Sequence, residues 1–250
     1  MKYLVGDIGN TFTKISIIDK NFKIYRSFNF STKKILQNKN KRKNFFLTSV
    51  IIDKLEKKVL FSSVVPEVFK TIKKYLVRKK FKVFEIKDLK IKNILKIRVK
   101  NYKQLGSDRI SNAIGSLKYD NSIVIDFGTA TTFDIIKNKV YEGGVISPGI
   151  NLSILNLSKS TALLPILDLK KTQKNYGKNT QEALNAGFIW GYEGLINNII
   201  KKISSKSKIK YKIILTGGHA KLFKNHIHYK TTIDQNITIK GVARVFEKLI

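Results

Sequence analysis

A chain of 250 residues with 42% hydrophobic content carries enough apolar material for one large or two moderate cores without help from metal or disulfides. It has no cysteine, which excludes a disulfide framework, a thiolate zinc site, an iron–sulfur centre and a cysteine nucleophile. The 49 basic and 17 acidic residues give +32, but only Arg26, Arg42, Arg78, Arg98, Arg109 and Arg244 are arginine, so the excess is lysine and reads as a solvated surface rather than a nucleic-acid face.

Residues 2–6 and 12–18 are expected as two strands joined by a turn, because Ile15 and Ile17 alternate with Lys14 and Ser16. The lysine-rich stretches at 39–43 and 206–212 read as solvated turns. Residues 59–65 predict a strand ended by Pro66, and residues 67–77 a helix with Val68, Ile72 and Leu76 on one face. A second helix is expected over 109–119, through Ile110, Ala113, Ile114 and Leu117. Residues 122–125 and 132–136 again predict strands, with Asp126-Phe127-Gly128-Thr129-Ala130-Thr131 as the turn between them. The unit of strand, Asp-x-Gly turn and strand therefore occurs twice, at Asp7 and at Asp126, close to half a chain apart.

Gly143, Gly144, Pro148 and Gly149 are expected to form a shaped turn. Residues 180–203 predict a helix through Ala183, Ala186, Ile189, Leu195 and Ile199, and residues 210–215 a strand leading into Thr216-Gly217-Gly218-His219-Ala220. His226-Ile227-His228 is expected on a strand, with both rings on one face at the surface. Strands alternating with helices in two halves predict a duplicated α/β chain, with domains 1–117 and 118–250 and a cleft between them. No run approaches the ~20 apolar residues of a membrane span, so a cytoplasmic protein without a membrane partner is expected.

The turn Asp7-Ile8-Gly9-Asn10-Thr11 has the chemistry of a phosphate cradle. Its acid ends a buried strand and can hold a hydrated divalent ion, its glycine allows a tight turn, and small polar groups face outward. A single copy would serve equally as an ordinary hairpin turn; a second equivalent copy favours the nucleotide reading. Neither Walker A nor Gly-x-Gly-x-x-Gly occurs, so a P-loop or Rossmann mechanism lacks support.

The two Asp-x-Gly turns and the later Thr216-Gly217-Gly218 resemble the two phosphate motifs and the adenosine motif of the actin, hexokinase and Hsp70-type superfamily. Within it, four further segments resemble type III pantothenate kinase: Gly106-Ser107-Asp108-Arg109, Asp126 to Thr132, Glu142 to Gly149, and Gly177-Lys178-Asn179-Thr180. They occur in the family's order across nearly the whole chain. The resemblance implies duplicated ribonuclease H-like (actin-like ATPase) domains with an interdomain cleft. It implies ATP-dependent phosphorylation of pantothenate to 4′-phosphopantothenate, the first step of coenzyme A synthesis.

By the same resemblance Asp108 is the general base, Gly106, Ser107, Arg109 and Thr180 contact pantothenate, and Arg109 forks onto the substrate carboxylate. ATP is contacted by Asp7, Ile8, Gly9, Asn10, Thr11, Phe12, Thr13, Lys14 and Thr129. Asp126 coordinates K⁺ or NH₄⁺, Mg²⁺ accompanies ATP, and the protein is a homodimer. Where family members often carry Asn-Pro, this chain has Asn101-Tyr102, and Val99 stands where many have a substrate-contacting tyrosine. From the residues alone, Asp108 and Thr180 also have a second reading as helix caps, which for Asp108 is the weaker of the two. Two other functions stay open at this level: a non-catalytic transcription accessory protein using the +32 charge, and a kinase of the same fold with another small-molecule acceptor.

Overall fold

The computed structural model describes residues 2–37, 55–169, 175–205, 207 and 209–250. The lysine run at 39–43 lies outside the described residues, as do two residues of the 206–212 stretch. The chain divides into two compact units. The first comprises Met1–Lys118, Lys139–Glu142 and Asn236–Ile250; the second comprises Tyr119–Asn138 and Gly143–Gln235.

The first unit is built on strands β1 (Lys2–Ile8), β2 (Phe12–Asp19), β3 (Ile24–Ser31), β4 (Lys58–Ser63) and β5 (Lys82–Glu85), in the order β3-β2-β1-β4-β5. The pairs β1/β2 and β2/β3 are antiparallel, while β1/β4 and β4/β5 are parallel. Helices cover both faces, so the central strands read as near-continuous apolar runs, with Leu4, Val5, Val59, Leu60 and Phe61 fully buried. One face packs on the helix Pro66–Arg78. Pro66 opens it where a missing N–H costs nothing, Glu67 and Arg78 suit its dipole, and Val68, Ile72 and Leu76 point inward one turn apart.

Helices Ser107–Ser116 and Ile237–Leu249 pack on each other and on β4, and the second of them also on β1. Thr238 donates to the buried Asn112 side chain at 2.7 Å. Each fully buried Leu, Ile or Phe of this core contributes roughly 1.5–3 kcal/mol. Also in this unit, the short strand β6 (Lys96–Ile97) pairs in parallel with Val140 and Tyr141.

The second unit repeats the first unit's plan. Strands β7 (Ser122–Phe127), β8 (Ala130–Lys137), β9 (Val140–Pro148, which starts in the first unit), β10 (Lys212–Gly217) and β11 (Thr231–Ile233) follow the order β11-β10-β7-β8-β9. As in the first unit, the strand ending in the acidic turn has an antiparallel partner on one side (β8) and a parallel one on the other (β10). Its core joins Ile123, Ile125, Phe127 and Phe133 to Ile154, from the helix Ile150–Lys159, and to Ile189, Tyr192, Ile196 and Ile200, from the helix Thr180–Ser205.

Two expectations are corrected. Gly143, Gly144 and Pro148 lie within strand β9, whose side chains alternate in exposure from Gly144 to Pro148 as a pleat requires; Gly149 then caps the next helix. His226 and His228 do not share a strand: Lys224–His226 is a 3₁₀ turn, and β11 starts only at Thr231.

Candidate active site

In the first unit, β1 ends in Asp7 and Ile8, and Gly9 closes the turn by donating to the Phe12 carbonyl at 3.0 Å. Thr32 braces this turn. Its hydroxyl donates to the Gly9 carbonyl at 2.7 Å and meets the Thr13 hydroxyl at 3.0 Å, and its backbone N–H donates to the Thr11 carbonyl at 3.0 Å. Ile8 and Thr13 are fully buried, so only their backbones are open to a ligand, whereas Asn10, Thr11 and Phe12 are exposed. The Asp7 carboxylate accepts the Ser62 hydroxyl at 2.8 Å. Lys14, opposite Asp7 in the β1/β2 ladder, donates to the Asn236 side chain at 2.5 Å.

The parallel strand β4 runs beside β1, and the Val64 N–H just beyond it donates to the Ile8 carbonyl at 3.0 Å. Next to Val64 lies Gly106, the N-cap of the Ser107–Ser116 helix, which supplies no side-chain cap. Asp108 is therefore not the capping residue. It sits in the first turn, half-buried, and accepts the Arg109 backbone N–H at 2.8 Å. Burial pushes the Asp108 carboxyl above the usual aspartate range, against the opposing pull of the Arg109 N–H, the Arg109 guanidinium and Lys87. Asp7 and Asp108 thus stand on elements that meet at the carboxyl ends of β1 and β4, where ligands bind in open α/β sheets.

Sequence reading named Ser107 as a substrate contact but missed its partner in this cluster, Glu85. Ser107 is fully buried, and its hydroxyl donates to Glu85 at 2.6 Å, so its side chain faces the protein. Burial raises the Glu85 carboxyl, and burial, with a smaller push from the Glu85 charge, raises the Tyr102 phenol. Glu85 lies in an ordinary run of charged and apolar residues, and no motif marks it.

In the second unit, Asp126 is the next-to-last residue of β7, two before Gly128 of the Gly128-Thr129 turn, which Gly128 closes by donating to the Ala130 carbonyl at 3.1 Å. Two glycines make room here. A Cβ on Gly149 would fall 2.1 Å from the Thr129 carbonyl oxygen. A Cβ on Gly217, whose φ is +84°, would fall 2.6 Å from Asp126 Oδ1. With no side chain at Gly217, its backbone packs directly against the Asp126 carboxylate, and the oxygen donors of each acidic turn are of the kind that hard cations such as Mg²⁺ take.

His219 follows this glycine turn; its Nε2 lies 3.0 Å from Asn151 Oδ1, and burial lowers its pKa. Thr180 is exposed at the first position of its helix, while Asn179 forms the cap: its Oδ1 accepts the Glu182 N–H and its Nδ2 donates to Glu182 Oε1, both at 2.9 Å. Glu193 contacts His226 at 2.8 Å and His228 at 3.5 Å, yet among the described residues no group of three His, Asp or Glu could hold a metal.

Comparison with known proteins turns this geometry into an assignment. A family model described as Type III pantothenate kinase matches residues 3–202. The chain belongs to the type III pantothenate kinase family. It is 45% identical over 243 residues to the type III pantothenate kinase of Pelagibacter ubique (strain HTCC1062), covering 96% of this chain and 97% of the relative. It is 38% identical over 249 residues to that of Sulfurihydrogenibium sp. (strain YO3AOP1), with the same coverage of 96% and 97%.

Two solved structures carry the fold alone. One, from Campylobacter jejuni and described as a Baf family transcriptional activator, matches at TM-score 0.62 and 20% identity over 98% of both chains. The other, from Sinorhizobium meliloti and described as a 2-dehydro-3-deoxygalactonokinase, matches at 0.59 and 8%, also over 98% of both. The fold is that of the actin-like ATPases and sugar kinases, a duplicated α/β plan. Among the described residues no helix is long and apolar enough to cross a membrane.

Proposed function

We propose that the chain transfers the γ-phosphoryl group of ATP to the primary hydroxyl of pantothenate, giving ADP and 4′-phosphopantothenate, the opening step of coenzyme A synthesis. Membership of the family supports this reading, and the observation that carries it is Asp108: a carboxylate lifted by burial, in the first turn of a helix, directly beside Arg109. Burial makes Asp108 a stronger base than an exposed aspartate, which suits a group that takes the hydroxyl proton as the new P–O bond forms and the bond to ADP breaks. Arg109 would bind the pantothenate carboxylate through its planar fork, with Thr180 and Gly106 lining the acceptor.

The nucleotide phosphates would lie against the backbone of residues 7–14 and against Thr129. Asp7, with the side chains of Asn10 and Thr11, would hold the Mg²⁺ that neutralises phosphate charge, and Asp126 would hold K⁺ or NH₄⁺ in the same service. Ile8 and Thr13 then act through their backbones, because their side chains are buried.

A homodimer is part of the proposal. Leu163 is 91% exposed, Ile166 65% and Trp190 45%, individual apolar side chains of the second unit that a second copy would cover. The reaction is assigned to the cytoplasm, and the lysine surplus is given no nucleic-acid role. The likeness to the Baf protein is one of fold, so it lends no weight to a regulatory reading.

The test is ADP release in the presence of ATP, Mg²⁺ and pantothenate, with K⁺ or Na⁺ as the monovalent ion. Turnover that needs pantothenate and is faster in K⁺ supports the reading. Folded protein that releases no ADP with either ion rejects it.

A further inference from the structure

We infer that Glu85 is a positioning residue for phosphoryl transfer, its carboxylate holding Ser107 and thereby the helix turn that carries Asp108 and Arg109. The inference rests on the function proposed above. Glu85 ends strand β5 with 9% of its surface exposed. Both carboxylate oxygens are engaged: Oε1 accepts the Ser107 hydroxyl at 2.6 Å, and Oε2 accepts the Lys87 backbone N–H at 2.7 Å. A buried carboxylate is costly unless it is fully hydrogen-bonded, and one that spends a bond on a neighbouring helix restrains that helix.

The restraint falls where the helix needs it. Gly106 offers no side-chain cap, and the Arg109 N–H of the first turn goes to Asp108 itself, so the N-cap position does not anchor the turn. The Glu85–Ser107 bond ties that turn to the sheet edge instead. Ser107 also binds inward, its carbonyl accepting the Ser111 hydroxyl at 2.7 Å. Lys87, two residues past Glu85, donates through Nζ to the Lys103 carbonyl at 3.1 Å, which tethers the segment leading into Gly106 from the same side. Both approaches to Asp108 are therefore fixed by the two residues Glu85 and Lys87. Neither Glu85 nor Ser107 presents its side chain to a ligand, so the pair acts through the aim of Asp108.

Steady-state kinetics of Glu85→Ala, Glu85→Gln, Ser107→Ala and the Glu85→Ala/Ser107→Ala double variant test this, with thermal melts alongside. A small displacement of a catalytic group is costly in rate, so Glu85→Ala lowers kcat about 10- to 100-fold while KM for ATP holds. Glu85→Gln keeps an oxygen for Ser107 and recovers part of the loss. The double variant is little worse than Glu85→Ala, because both changes break one contact.

Wild-type kcat in the Glu85 variants, or losses that simply multiply in the double variant, overturns the inference. If Glu85→Ala does not fold, Glu85→Gln and Ser107→Ala decide alone: both must lower kcat at unchanged KM for ATP. A wild-type protein inactive with pantothenate and ATP overturns the proposed function and this inference together, whereas an active wild type with indifferent Glu85 variants overturns the inference alone.

Discussion

Replacing Asp108 by Asn should separate catalysis from stability, moving the two in opposite directions. The change is nearly isosteric, and the Asn Oδ1 can still accept the Arg109 N–H that Asp108 accepts at 2.8 Å, so the helix turn keeps its local bond. What disappears is a charge whose burial is the largest influence on it, larger than the compensation from Arg109 and Lys87. An acid whose folded pKa is raised stabilises the fold below its unfolded pKa, and that contribution is lost as pH rises through the folded pKa. At neutral pH the wild type therefore bears the cost of the buried charge, and Asp108→Asn is freed of it.

Melting temperature should rise in the variant at pH 7, by roughly 2–4 °C for each kcal/mol relieved in a chain of this size, and the gain should shrink on acidification. The same change removes the proton acceptor, and general bases are worth about 100- to 10,000-fold in rate. Differential scanning fluorimetry between pH 4 and 8 and an ADP-release assay on one preparation measure both effects. A variant that melts several degrees lower at pH 7, or that keeps wild-type kcat, would refute the reasoning.

Other perturbations give distinct signatures. Arg109→Lys keeps a positive charge beside Asp108 but loses the planar fork, so KM for pantothenate should rise about tenfold, the weight of one strong hydrogen bond, with kcat less affected; an unchanged KM would detach Arg109 from the acceptor carboxylate. Gly149→Ala forces a methyl to within 2.1 Å of the Thr129 carbonyl, backbone that cannot swing aside. It should cost about 1–3 kcal/mol or more in a melt and weaken ATP binding measured by calorimetry; a neutral Gly149→Ala would show that the turn has slack. Leu163→Glu adds a charge at a side chain already 91% exposed, so folding should be spared while sedimentation shows loss of the dimer. An unchanged sedimentation profile would put the interface elsewhere.

What could be read from the sequence followed from how local each signal is. The paired turns were visible because an acid, a glycine and an alternating strand sit within a dozen residues, and both appear as β1/β2 and β7/β8. The helix Pro66–Arg78 announced itself through Pro66 and three apolar residues at one-turn spacing. Strand β9 was masked by Gly143, Gly144 and Pro148, which punctuate turns far more often than they line strands. The helix Ile237–Leu249 is last in the chain but packs in the first unit, a return that depends on tertiary contacts rather than on local pattern.

At the site, Asp108 and Arg109 were marked by their motif. The structure then gave the cap of the Thr180–Ser205 helix to Asn179 and turned the Ser107 hydroxyl inward. Glu85 could not have been found by spacing, since its partner lies 22 residues away and only the sheet edge brings them together.

Incubation with ATP labelled in the γ-phosphate, together with pantothenate, followed by separation of the products, tests the central claim most directly. The account predicts label in 4′-phosphopantothenate for the wild type and its near absence for Asp108→Asn. Label retained in ATP, or released only as inorganic phosphate whether or not pantothenate is present, would contradict it.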